Sequence, residues 1–186
     1  MHNETPSYSP VIRRLRASDQ PELAAHFHRL DQNTRRLRFG GMVSDAFVAD
    51  YAAKILSDDS VIFGAFSDDT LRGVAELRGA MWRWPRSAEV ALLVEPAWQD
   101  KGLGDALLGR LIAAAQNRGI KTLQMMCLRE NRRMQALARK HKATLEITVD
   151  SVEATLAPAW PTPMSLFEEI FGNPRSYLPM GFHLPT

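Results

Sequence analysis

The chain has 186 residues, 45% of them hydrophobic, enough for one well-filled core with a short extension rather than several domains. With 23 Lys plus Arg against 21 Asp plus Glu, a net charge of +2, neither a nucleic acid nor an anionic membrane is demanded as a partner. The single cysteine, Cys127, excludes an intramolecular disulfide framework. No apolar run reaches the length of a membrane span, and the first residues lack the basic and apolar regions of a signal peptide, so a cytoplasmic protein is expected.

Residues 1–10 are polar and hold two prolines, which predicts a flexible N-terminal arm. VIRRLR (11–16) reads as a strand. It ends at SDQPE, where Ser18 or Asp19 can cap a helix with Pro21 in its first turn. That helix, about 20–30, places Leu23, Phe27 and Leu30 at helical spacing. Further helices are expected around 33–39 and over about 44–56, after which the period changes. VIFGAF (61–66) reads as a buried strand and LRGVAELRGA (71–80) as its hairpin partner. The connector WRWP (82–85) carries alternate tryptophans that point the same way on a strand end, either walling an acceptor pocket or filling the hairpin. AEVALLVE (88–95) is the next strand. A helix over about 104–118 follows, with Leu107, Leu108, Leu111, Ile112 and Ala115 on one face and Gly119 closing it. KTLQMMCL (121–128) is a strand, ENRRMQALARKHK (130–142) a helix and ATLEITV (143–149) the last strand. Antiparallel strands followed by β-α-β-α-β order argue an α/β or α+β fold on a single sheet. After Ala157, six of the chain's 11 prolines fall between Pro158 and Pro185. SLFEEIF between them reads as one short amphipathic turn. This extension, 158–186, is draped over the domain, lends surface to a partner subunit in a possible homodimer, or is a disordered tail.

Between the strand ending near Glu95 and the helix starting near Gly104 lies QDKGLG (99–104). A glycine loop entering a helix aims several backbone N–H groups and the positive end of the helix dipole at one spot, an anion site. A β-carbon there would hold a pyrophosphate away from the backbone. The spacing matches neither G-x-G-x-x-G nor the P-loop, so on its own letters it is equally an ordinary loop-to-helix junction.

QDKGLG fits the Q/R-x-x-G-x-G/A pattern. With IRRLRASD, NTRRLRFGG, AEVALLVEPAWQDKGLGDALL and LRENRRMQALARK, it forms a series of blocks over about 11–149. This series resembles the GNAT superfamily of acyl-CoA-dependent N-acyltransferases. The nearest likeness is to the bacterial protein-acetylating branch and its small stand-alone relatives, which carry an S-x-x-[ST]-R-x-x-R-F-like helix and a glutamate opening the fourth strand. The resemblance implies a twisted, mostly antiparallel mixed sheet of six to seven strands flanked by four to five helices, splayed between the fourth and fifth strands, over 11–157. Acyl-CoA, with acetyl-CoA the first candidate, would lie in that wedge. The backbone amides of Gln99, Asp100, Lys101, Gly102, Leu103, Gly104 and Asp105 would hold its pyrophosphate. The strand edge of Leu92, Leu93 and Val94 would pair with the pantetheine arm. Asn131 resembles the family's cofactor-contacting asparagine, and Lys101 either adds charge to a phosphate or is a solvated loop lysine.

Acyl transfer to an amine needs a neutral nucleophile, yet a lysine amine with a pKa of about 10.4 is protonated at neutral pH, so a proton acceptor is required. Glu89 is the candidate: it heads an otherwise apolar strand and matches the glutamate of the protein-acetylating branch. The alternative is an exposed strand-end glutamate with a surface contact. A backbone N–H near Leu93 or Val94 would stabilise the oxyanion. The family's thiol-protonating tyrosine is replaced here by Ala138, so the thiolate, near pKa ~8.5 for such thiols, leaves unassisted or another group serves. Cys127 reads as an inert thiol. His26 and His28, two apart on a helix, make a poor metal pair, and no metal is expected. Arg35, Arg36 and Arg38 read as a solvated helix face rather than as an attractant for an acidic substrate. The expected function is therefore transfer of an acyl group from CoA to a small-molecule amine or a protein lysine, with no nucleic acid or membrane partner. The rival is a GNAT-fold module that binds acyl-CoA without turnover.

Overall fold

The computed structural model describes residues 10–56, 59–79 and 86–172. Strand β1 (Val11–Arg14) pairs antiparallel with β2 (Ser60–Ser67), which pairs with β3 (Thr70–Arg78), which pairs with β4 (Ser87–Val94). β5 (Thr122–Leu128) then joins β4 in parallel, and β6 (Thr144–Ile147) and β7 (Ser151–Leu156) complete one seven-stranded sheet in the order β1-β2-β3-β4-β5-β7-β6. The helices among the described residues are α1 (Gln20–His28), α2 (Gln32–Phe39), α3 (Asp45–Lys54), α4 (Leu103–Asn117), α5 (Arg132–Lys140) and α6 (Pro163–Phe171).

The sheet is buried on both faces over its first half, which is why 61–66 is apolar without interruption. Phe63, Leu77, Ala88 and Val90 face α4, packing on Leu107, Leu108 and Leu111. Ile62, Val74 and Leu93 face the other way, onto Leu23, Phe27, Val48 and Ile55 of α1 and the α3 region. Helix starts are set locally: Asp31, Ser44, Asn131 and Thr162 each accept a hydrogen bond from the backbone N–H three residues on. Asp19 stands at the N-cap of α1 as expected, but its carboxylate accepts from Arg13 at 2.7 and 2.9 Å and from the Arg16 N–H at 2.8 Å instead of capping the helix.

Two elements differ from the sequence reading. The strand at 143–149 is not the last: SVEATL forms β7, and β7 rather than β6 lies against β5. Its buried positions, Val152, Ala154 and Leu156, alternate as one sheet face requires. The second difference is α6, a full nine-residue helix rather than a single turn. Its docked side is Ser165, Glu168, Glu169 and Gly172, while Met164, Leu166, Phe167 and Ile170 face outward. Polar contacts hold it on α4. The guanidinium of buried Arg110 donates to the carbonyls of Glu169 and Ile170 at 2.8 and 2.6 Å, Arg118 pairs with Glu169 at 2.8 Å, and the Asn117 amide donates to the same carboxylate at 2.6 Å. The arm at 1–9 and the connector with Trp82 and Trp84 lie outside the described residues.

Candidate functional site

The parallel ladder between β4 and β5 has three pairs only, from Ser87 opposite Thr122 to Glu89 opposite Gln124. Beyond that point β4 stays paired to β3 up to Val94 and leaves β5, so its other edge is open. The wedge is lined by Leu92, Leu93 and Val94 on one side and by Asn131 and α5 on the other, and it encloses a cavity of about 350 Å³.

The glycine loop borders the cavity beyond the end of β4. After a 3-10 turn at Pro96–Trp98, the Gln99 side chain donates to the Val94 carbonyl at 2.8 Å, tying the loop to the strand end. Asp100 (φ 58°) and Gly102 (φ 80°) both take left-handed backbone, which reverses the chain into α4. Gly102 is the N-cap and brings no side chain, so the first-turn amides of Leu103, Gly104 and Asp105 receive no side-chain cap. Amides without a cap at a helix N-terminus require an acceptor, and Gly102 and Gly104 both line the cavity. These residues suit an anionic group. Of the loop residues expected here, Gln99, Asp100, Gly102, Gly104 and Asp105 line the cavity. Leu103 turns its side chain into the core, 5% exposed, leaving its amide for the loop. Lys101 lies over the Trp98 ring at 5.2 Å.

Two helices, whose part is not evident from the motif, wall the cavity. From α2 come Thr34, Leu37 and Arg38, and from α5 come Arg133, Met134, Ala136, Leu137 and Lys140. The α5 set recurs every three or four residues along one face, a signal present in the sequence. Asn131 lines the cavity and caps α5, accepting from the Met134 N–H at 3.1 Å. Across the mouth, Arg36 of α2 pairs with Glu130, just before α5. At the loop, Arg133 pairs with Asp100 at 3.1 Å, and Lys140 and His141 hold Asp105 at 2.9 and 2.8 Å. Burial raises the Asp105 carboxyl, but those two partners outweigh it and keep it below its ordinary value.

The α2 arginines are not the solvated face that their clustering suggests. Arg35 is 8% exposed, pairs with Asp45 and donates to the His28 carbonyl at 3.2 Å. Arg38 donates through one nitrogen to Glu76 and to the Tyr51 hydroxyl, both at 2.6 Å. Tyr51 also donates to Glu76, which is fully buried. A buried carboxylate needs these partners. Burial and the Glu76 charge push the Tyr51 phenol up to about 12, so it stays a donor. A second buried cluster stands at the end of β4. Glu95 accepts from His26 Nδ1 at 3.1 Å, Arg29 Nε at 3.0 Å and Arg72 at 3.0 Å. Burial opposes its charge, but these partners prevail and lower it to about 2.

Glu89 is exposed and forms the last pair before β4 and β5 part. By strand alternation it is on the face of Leu93, opposite that of Ala88 and Val90. It makes no hydrogen bond or ion pair among the described residues. Ala138 is 1% exposed and packed in the core beneath α5. Cys127 is half-buried, and desolvation raises its thiol. Among the described residues no group of three or more His, Cys, Asp or Glu side chains is arranged to hold a metal ion, and no helix is long and apolar enough to cross a membrane.

The sequence model of the acetyltransferase (GNAT) family matches residues 26–142. Among solved structures, the chain is similar to the GNAT domain of S. lividans PAT, with a TM-score of 0.68 and 22% identity over 83% of this chain and 99% of that one. It is also similar to the ribosomal-protein-S18-alanine N-acetyltransferase from Escherichia coli (TM-score 0.62, 18% identity, 83% and 97% covered). A third is the spermidine N-acetyltransferase from Vibrio cholerae, solved with CoA and spermine (TM-score 0.64, 17% identity, 80% and 95% covered). At these identities the likeness is one of fold. No curated protein sequence matches the chain.

Proposed function

The chain belongs to the acetyltransferase (GNAT) family, and from that membership we propose that it transfers an acetyl group from acetyl-CoA to a primary amine of a small molecule or protein lysine. The observation that carries this reading is the parting of β4 and β5 straight onto the uncapped start of α4, within one cavity. The amides of the 99–105 loop hold phosphate, and the open edge of Leu92, Leu93 and Val94 receives an amide-bearing arm. Asn131 lies at the far wall. Acetyl-CoA supplies the activated acyl carbonyl and a thiolate leaving group.

Glu89 is the proton acceptor. Its carboxylate has no partner among the described residues and stands where β4 and β5 part, beside rather than among the residues that line the cavity; from there it takes a proton from the acceptor ammonium, directly or through water. Of the two candidate amides, that of Leu93 is turned to β3 like that of Glu95, so the amide of Val94 donates to the carbonyl oxygen as charge develops there. Ala138 offers no proton, so the thiolate leaves as the anion, which its modest basicity permits, and the second proton of the attacking nitrogen goes to water as the amide forms. Across the sheet Glu89 stands between Arg78 on β3 and Gln124 on β5.

Two measurements test the reading. Acetyl-CoA should give a heat of binding by calorimetric titration, and absence of binding refutes it. CoA release over a panel of amines and lysine peptides should fall about 10²-fold or more in Glu89→Gln, the contribution usual for a general base. An unchanged rate removes Glu89 from the chemistry.

A further inference from the structure

The loop assigned to the phosphates carries two carboxylates of its own. Asp100 and Asp105 line the cavity beside Gly102 and Gly104, and fixed negative charge there opposes an incoming phosphate. Both carboxylates are engaged from α5. Arg133 Nε is 3.1 and 3.2 Å from the two Asp100 oxygens, Lys140 Nζ is 2.9 Å from Asp105 Oδ2, and His141 Nε2 is 2.8 Å from Asp105 Oδ1. Arg133 and Lys140 are two helical turns apart, so they share the face of α5 that lines the cavity.

These pairs stand at the rim rather than in the core. Arg133 and Asp100 side chains are 66% and 68% exposed, and Lys140 is 65% exposed against 31% for Asp105, which makes the first pair the looser of the two. Ion pairs so exposed contribute next to nothing to stability and part readily. A phosphate offers more charge and more acceptor oxygens than a carboxylate, so a cation released from Asp100 or Asp105 gains by turning to it.

Resting on the acetyl-CoA reading above, we propose that Arg133 and Lys140 are exchangeable phosphate ligands, held over the loop by Asp100 and Asp105 until the phosphates of CoA displace the carboxylates. The two aspartates pre-place the cations and compete with the ligand. Removing a loop carboxylate therefore strengthens CoA binding, the opposite of what losing an ordinary loop contact does. After the cations leave, His141 still contacts Asp105, and Asp100, 68% exposed, is left to water.

The experiment is calorimetric titration of the full chain with CoA at low and high salt, in wild type and in Asp100→Asn, Asp105→Asn, Arg133→Gln, Arg133→Lys and Lys140→Gln. Asp100→Asn and Asp105→Asn should tighten CoA by about three- to tenfold, the scale of one neutralised charge near a protein surface. Arg133→Gln and Lys140→Gln should weaken it by a similar factor and flatten its salt dependence, while Arg133→Lys, which keeps the charge, restores most of the loss. Melting temperatures of the free variants should stay within a degree or two of wild type, which separates exchange from a structural role. CoA binding that is unchanged or weaker in both asparagine variants overturns the proposal. Wild type that binds no CoA overturns the functional reading itself, before any variant is compared.

Discussion

Gly102 and Gly104 differ in backbone conformation and in surroundings, and substitution should separate folding from binding. Gly102 is left-handed at φ 80° with nothing within 4 Å of a built Cβ, so space is no obstacle to Ala but conformation is. An L-residue there costs about 1–2 kcal/mol, which for a chain of this size lowers the melting temperature by about 2–8 °C. Gly104 is helical, and a Cβ would meet only Leu137 Cδ2 at 3.7 Å, an ordinary contact. Gly104→Ala should therefore leave stability unchanged or raise it by up to about 1 kcal/mol, with CoA affinity largely kept. Gly104→Leu should also fold, but its side chain enters the cavity and should weaken CoA by tenfold or more, a loss of about 1.4 kcal/mol. Thermal unfolding and calorimetric titration with acetyl-CoA, run on all three variants, check this. If Gly104→Leu binds CoA as wild type does, the phosphate cradle is elsewhere. If it melts as low as Gly102→Ala, the glycine is there for the fold.

The Glu95 cluster makes stability depend on acid pH. Its carboxyl lies near 2 in the folded chain against an ordinary 4.5, so its contribution is present above about pH 4.5 and is lost as pH falls toward 2, at most about 3 kcal/mol. Glu95→Gln should melt lower at neutral pH and show a flatter profile over pH 2–4.5; a profile parallel to wild type refutes the assignment. For α6, Arg110→Ala removes the donor from two part-buried carbonyls, costing about 0.5–1.5 kcal/mol each. Limited proteolysis should then cut within 163–171 while CoA affinity persists. Resistance equal to wild type means that Asn117 and Arg118 hold the helix unaided.

Much of the architecture was legible because it is written locally. The 3.6-residue spacing of Leu107, Leu108 and Leu111 and the glycines before α4 each act within a few residues, so letters and spacing suffice, whereas the cap expected at Ser18 or Asp19 is lost because the Asp19 carboxylate turns to Arg13 and the Arg16 N–H. Likewise local is the loop into α4, which needs only a strand end, a left-handed Gly102 and a helix start. SVEATL does alternate polar and apolar residues as a strand does, but only the packing puts β7 rather than β6 against β5.

Other features were settled only when distant segments met. Arg38, Tyr51 and Glu76 lie on three elements, and only their packing turns an arginine-rich helix face into a buried, compensated wall of the cavity. Arg133 and Lys140 reach Asp100 and Asp105 across more than thirty residues of chain, and nothing in either stretch names its partner. The apolar side of α6 points outward because Arg110, Asn117 and Arg118 on α4 engage its polar side. Sequence alone determined most of the strands and helices and the glycine loop that enters α4, since backbone conformation and hydrophobic periodicity are short-range properties. The tertiary structure decided which charges are buried, which are paired at the rim and where the wedge opens, because electrostatic partners and solvent exposure are set by the fold as a whole.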